Sequence, residues 1–139
     1  GYADVHSMIK NIEFYELDLT FAETNRLKSY LEKNHFLEEM WFWGNGCSIE
    51  PKTFDNILQG LSKNVNIQTL SFTGIIFDDA SLIRLMSVIS ENQKLPISKL
   101  SLSHYKKYEI DTLSKECLQI IQNLKKKRQN LQIEFDGSV

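Results

Sequence analysis

Apolar residues alternate with polar ones in five short stretches of the chain: Leu17/Leu19, Met40/Phe42, Leu70/Phe72, Leu100/Leu102 and Ile133/Phe135. Alternation of period two predicts short strands with one buried face. Between these stretches the period lengthens to that of a helix. Leu27, Tyr30 and Leu31 form one stripe, and Phe54, Ile57, Leu58 and Leu61 form the next. Leu82, Leu85, Met86 and Ile89 make a third, and Leu113, Cys117, Ile120, Ile121 and Leu124 a fourth. Such stripes predict amphipathic helices packed on one side. Val5, Met8 and Ile9 share a helical face, so the first ten residues read as the tail of another helix.

Start and stop signals agree with these elements. Pro51 falls just inside the second helix, with Glu50 near its positive end. Asp78 or Asp79 can cap the third helix and Asp111 the fourth. Asn11, Asn34, Asn64 and Asn92 recur where helices should stop, and Asn tolerates the left-handed conformation that ends helices.

The elements repeat as a phrase. Met8–Leu19 recurs as Leu31–Phe42 and as Leu61–Phe72. It returns from Ile89 to Leu102 with two extra residues that include Pro96, and again from Leu124 to Phe135. Equivalent positions Leu17, Met40, Leu70, Leu100 and Ile133 are spaced 23, 30, 30 and 33 residues apart. Fixed-period repetition predicts stacked units. Strand and helix in alternation predict parallel strands with helices along the other side.

The spacing Phe14-x-x-Leu17-x-Leu19, with copies starting at Leu37, Ile67 and Ile97, resembles the L-x-x-L-x-L segment of leucine-rich repeats. A unit of roughly 30 residues with a full helix is most similar to the ribonuclease-inhibitor-like class of that family. The resemblance implies an α/β solenoid whose short strands, about five of them, line a curved parallel sheet on the concave face, with helices on the convex face. That family places Asn or Cys three residues beyond the last strand leucine. Only Asn45 fits that slot here, while Ala22, Ile75 and Tyr105 occupy it in other units. Fold does not carry function, so ribonuclease inhibition is not implied.

Composition narrows the function classes. Residues 1–139 fit a single repeat domain, and the absence of Met at Gly1 suits a piece of a longer protein. The net charge of −2 disfavours a dedicated nucleic-acid binder. Residues 1–70 carry 6 basic and 10 acidic groups, residues 71–139 carry 10 and 8. Two distant cysteines, Cys47 and Cys117, form no disulfide framework and suit a reducing, cytoplasmic compartment. No apolar run reaches the about 20 residues that span a bilayer.

With the apolar letters pointing inward, alternation puts their neighbours on the open face. Asp18, Trp41, Ser71, Ser101 and Glu134 form the central column. Thr20, Trp43, Thr73, Ser103 and Asp136 form the next, and Glu16, Glu39, Thr69, Lys99 and Gln132 the preceding one. Trp41 and Trp43 stand out among small and polar residues, flanked by Tyr15, Glu16, Asp18, Glu38 and Glu39. Exposed tryptophan is the commonest interface anchor, and an acidic rim favours a partner with exposed Lys or Arg. The expectation is a non-catalytic module that binds another protein through this face. The alternative is the substrate-recognition arm of a larger enzyme or of a secreted bacterial effector acting in host cytosol, its catalytic part lying elsewhere.

Catalysis and cofactors find no support. Cys47 sits in a Gly-Asn-Gly-Cys turn without a paired histidine, and Cys117 falls on a helix stripe. His6, His35 and His104 stand apart, so neither metal nor cofactor is expected. Lys125–Arg128 is the single basic block and reads as the solvated end of a helix. Lys106 and Lys107 beside Tyr105 are a weaker signal still.

Overall fold

The computed structural model describes residues 9–103 and 113–135. Five strands form one sheet: β1 (Asn11–Tyr15), β2 (Glu39–Cys47), β3 (Thr69–Ile75), β4 (Lys99–Ser103) and β5 (Gln132–Phe135). They lie in chain order and are parallel throughout, with β1 and β5 at the edges among the described residues. Between them run α1 (Phe21–Lys33), α2 (Pro51–Lys63), α3 (Asp79–Glu91) and α4 (Lys115–Lys127). Parallel neighbours need a crossover, and each helix supplies one. The protein is therefore α/β, one parallel sheet with helices packed on one face.

The register defines the inner layer. Ile12, Met40, Leu70, Leu100 and Ile133 stand abreast, as do Phe14, Phe42, Phe72, Leu102 and Phe135. The predicted stripes of α1 to α4 close over these two rows in one apolar cluster. Phe42 stacks on Phe14 at 5.4 Å and on Phe72 at 4.8 Å, while Phe54 of α2 and Phe77 meet Phe72 edge-on. Each fully buried Leu or Phe contributes about 1.5–3 kcal/mol.

The first unit corrects the sequence reading. Its inward residues are Ile12 and Phe14, with Met40 28 positions beyond Ile12, and Leu17 and Leu19 lie past the strand. Asp18 accepts a hydrogen bond from the amide of Tyr15 at 3.1 Å, and Leu19 N–H donates to Glu16 C=O at 3.2 Å. These local bonds turn the chain into a 3₁₀ turn at Glu16–Asp18, ending β1 at Tyr15. Leu17 is 92% exposed as a result, and Thr20 caps α1 instead of facing out from the sheet. Two neighbouring alternations, Ile12/Phe14 and Leu17/Leu19, compete here, and turn chemistry decides between them.

The recurring asparagines end helices, though not by the left-handed route. Asn34, Asn64 and Asn92 have φ of −81°, −73° and −86°. Their side chains do the work. Asn34 Oδ1 accepts from Phe36 and Leu37 amides, and Asn64 Oδ1 accepts from Asn66 and Ile67 amides. Asn64 Nδ2 donates back to Leu31 C=O at 3.0 Å, and Asn92 Nδ2 donates to Leu61 and Asn64 carbonyls at 2.8 Å. Each bridge satisfies carbonyls left over at the preceding helix end. In the last unit Arg128 takes this role, donating to the carbonyls of Asn92 and Leu95 at 2.5 Å, while Lys127 donates to Ser90 C=O at 2.7 Å. Asn11 is instead the first residue of β1.

Two further details differ from expectation. The fourth helix is capped by Ser114, which accepts from Cys117 N–H at 3.1 Å, whereas Asp111 lies outside the described residues. Gly44-Asn45-Gly46-Cys47 belongs to β2, where Cys47 pairs with Ile75 across a bulge. Gly74 has φ +74°, and a Cβ there would strike the Gly44 carbonyl oxygen, so the bulge requires glycine.

Candidate protein-interaction face

The open face carries the residues that alternate with the inner layer. Its central column reads Glu13, Trp41, Ser71, Ser101 and Glu134. Tyr15, Trp43 and Thr73 stand on one side of it, and Asn11, Glu39, Thr69, Lys99 and Gln132 on the other. The two indoles stack at 5.7 Å with planes 10° apart, and both are half-buried. Residues two apart on a strand share a face, so Trp41 and Trp43 reach this arrangement without distortion.

Hydrogen bonding fixes one indole and leaves the other unpaired. Trp43 Nε1 donates to Glu13 Oε1 at 3.0 Å across the β1–β2 pair. Trp41 Nε1 is shielded from solvent and has no acceptor among the described residues. An indole N–H without a partner costs about 1–3 kcal/mol. Tyr15 is 57% exposed beside Trp43, in register with it.

The seven residues expected to form the site divide into two groups. Trp41, Trp43, Tyr15 and Glu39 lie on the open face of β1 and β2. Glu16 and Asp18 sit in the 3₁₀ turn beyond the sheet, because the register of β1 lies five positions earlier than the expected alternation. Glu38 directly precedes β2 and lies 4.0 Å from Lys10 Nζ. Glu13 takes the central position that Asp18 was expected to hold. The signal for it was the Ile12/Phe14 alternation, which places Glu13 outward. Ser71 and Ser101 also differ from expectation, being buried. Short hydroxyl side chains between taller neighbours retain little surface.

Beyond Tyr15, Leu17 and Phe21 are further exposed apolar side chains. Phe21, 56% exposed, lines a cleft of about 400 Å³ together with Glu16, Leu19, Cys47, Ile49 and Thr53. Burial and a hydrogen bond to the Glu16 carboxylate push the Cys47 thiol upward, which keeps it protonated and a poor nucleophile near neutral pH. Burial likewise raises Cys117 on the inner stripe of α4. No group of three His, Cys, Asp or Glu side chains suited to a metal occurs among the described residues. His35 is exposed, while His6, His104, Tyr105, Lys106, Lys107 and Asp136 lie outside the described residues. No described helix is long and apolar enough to cross a membrane.

No protein-family model and no curated protein matches the chain.

Proposed function

We propose that this chain is a leucine-rich-repeat type of array, without catalysis of its own, that binds another protein through the open face of its sheet. The observation that carries this reading is the stacked Trp41–Trp43 pair, half-buried on a face otherwise furnished with small and polar side chains. Tryptophan at the centre of an interface is the residue type whose truncation most often costs affinity. Glu13 and Glu39 beside the indoles favour a partner with a basic surface. Two free thiols fit a reducing compartment such as the cytoplasm.

The test is quantitative capture of partners from lysate by the wild-type chain and by the Trp41→Ala/Trp43→Ala chain, with circular dichroism on both. A partner bound by the first and lost by the folded second supports the reading. Equal capture by a folded double variant overturns it.

A further inference from the structure

Charge is distributed unevenly across the open face. Its β1–β2 half carries Glu13 and Glu39 with no cation at any described strand position, whereas on the β4–β5 half Lys99 lies 3.9 Å from Glu134. The acidic half is also the aromatic half. Trp41 covers one side of Trp43, and the Trp43 indole keeps part of its surface exposed, with Tyr15 alongside. Glu13 Oε1 holds the Trp43 N–H at 3.0 Å, so a carboxylate is fixed at the ring edge.

We infer that this half of the face takes an arginine side chain of the partner, its guanidinium flat on the exposed part of Trp43 and its N–H groups turned to Glu13. The inference rests on the interaction reading above and commits it to one chemistry. A guanidinium is planar, is weakly hydrated for a cation and offers donors in a fixed fork, so it can stack and pair at once. An ammonium is a compact, strongly hydrated point charge that meets the carboxylate but gains less from a flat indole. A stacked indole pair is a platform, not a cage, and this favours the planar cation.

The two tryptophans of the chain are both in this patch, so their emission reports on it alone. The full chain is titrated with capped hexa-arginine, hexalysine and hexacitrulline peptides while tryptophan emission is followed. Hexa-arginine should change the emission and bind about two- to fivefold more tightly than hexalysine. Hexacitrulline, planar but uncharged, should bind far more weakly than either. Glu13→Gln keeps an oxygen to accept from Trp43 and removes only the charge, so it should weaken hexa-arginine binding while the emission of the free chain stays as in the wild type.

Equal affinity for the arginine and lysine peptides overturns the proposal, as does binding without an emission change or full binding by Glu13→Gln. If those results coincide with partner loss in the Trp41→Ala/Trp43→Ala chain, the arginine site fails and the interaction reading stands. If arginine is preferred while the double variant retains its partner, the arginine site stands and the interaction reading fails.

Discussion

The two halves of the open face share a backbone and differ in almost every outward letter. On β1 and β2 those letters are Glu13, Tyr15, Glu39, Trp41 and Trp43; on β3 and β4 they include Thr69, Ser71, Thr73, Lys99 and Ser101. Beneath both halves the inner rows are continuous, with Phe42 stacked on Phe72 across the join. Architecture is thus uniform where chemistry is not. Inward residues answer to packing, which is the same in every unit, while outward residues are free to answer to a partner.

Breaking the shared layer has the largest expected effect. Phe72 and Ser71 are adjacent in sequence and face opposite ways, and Phe72 contacts Phe42, Phe54 and Phe77. Phe72→Ala should cost about 3–5 kcal/mol, read from urea denaturation, and lower binding through loss of fold.

Next comes the outward chemistry itself. Trp41→Ala/Trp43→Ala should weaken partner binding by about 2 kcal/mol or more, roughly thirtyfold in Kd, measured by calorimetry with the captured partner. Ser71→Ala on the bland half should leave that Kd unchanged. If both halves respond alike, the contrast between them is wrong.

The joint between the halves can be weakened separately. Asn64 is buried and bonds the Asn66 and Ile67 amides as well as Leu31 C=O, tying α2 and the approach to β3 back to α1. Asn64→Ala should destabilise by about 1–3 kcal/mol in the same denaturation assay, because it leaves buried groups unpaired.

The smallest effect concerns α3, which backs the bland half. Asp78 accepts from the Ser81 amide at 2.8 Å, and this bond holds its carboxyl below the usual value of 3.8. A carboxyl depressed in the folded state stabilises above its unfolded pKa and loses that contribution as pH falls through the folded one. Asp78→Ala should therefore cost about 1 kcal/mol at neutral pH, with the difference from wild type fading as pH falls below the ordinary carboxylate range. Parallel thermal melts at neutral and strongly acidic pH measure it.

From β2 onward the inner rows were legible in the sequence. Met40/Phe42, Leu70/Phe72, Leu100/Leu102 and Ile133/Phe135 face inward as their alternation requires, and the helix stripes pack where their period places them. The first unit departs from expectation because Phe14-x-x-Leu17-x-Leu19 matches the repeat spacing as well as Ile12/Phe14 matches a strand. Hydrophobic pattern cannot arbitrate between two patterned segments. The Asp18–Tyr15 bond can, but it is a three-residue geometry that composition does not announce. The same slip hid Glu13, whose link to Trp43 spans 30 residues and depends entirely on strand register. The recurring asparagines predict helix stops by the left-handed conformation, whereas the amides of Asn64 and Asn92 act across units, a role that local propensity cannot reveal.

Those asparagine bridges have a mechanical consequence. Each hooks one helix end to its neighbour beside the pairing of the adjacent strands, so tension between the chain ends crosses these joints in series. A series linkage yields at its weakest joint, not at the sum of its joints. With units of 30 residues between Met40 and Leu70 and between Leu70 and Leu100, each yielding releases roughly 100 Å of extended chain. Strength under load is then a property of the weakest joint, its hook and its strand pair together.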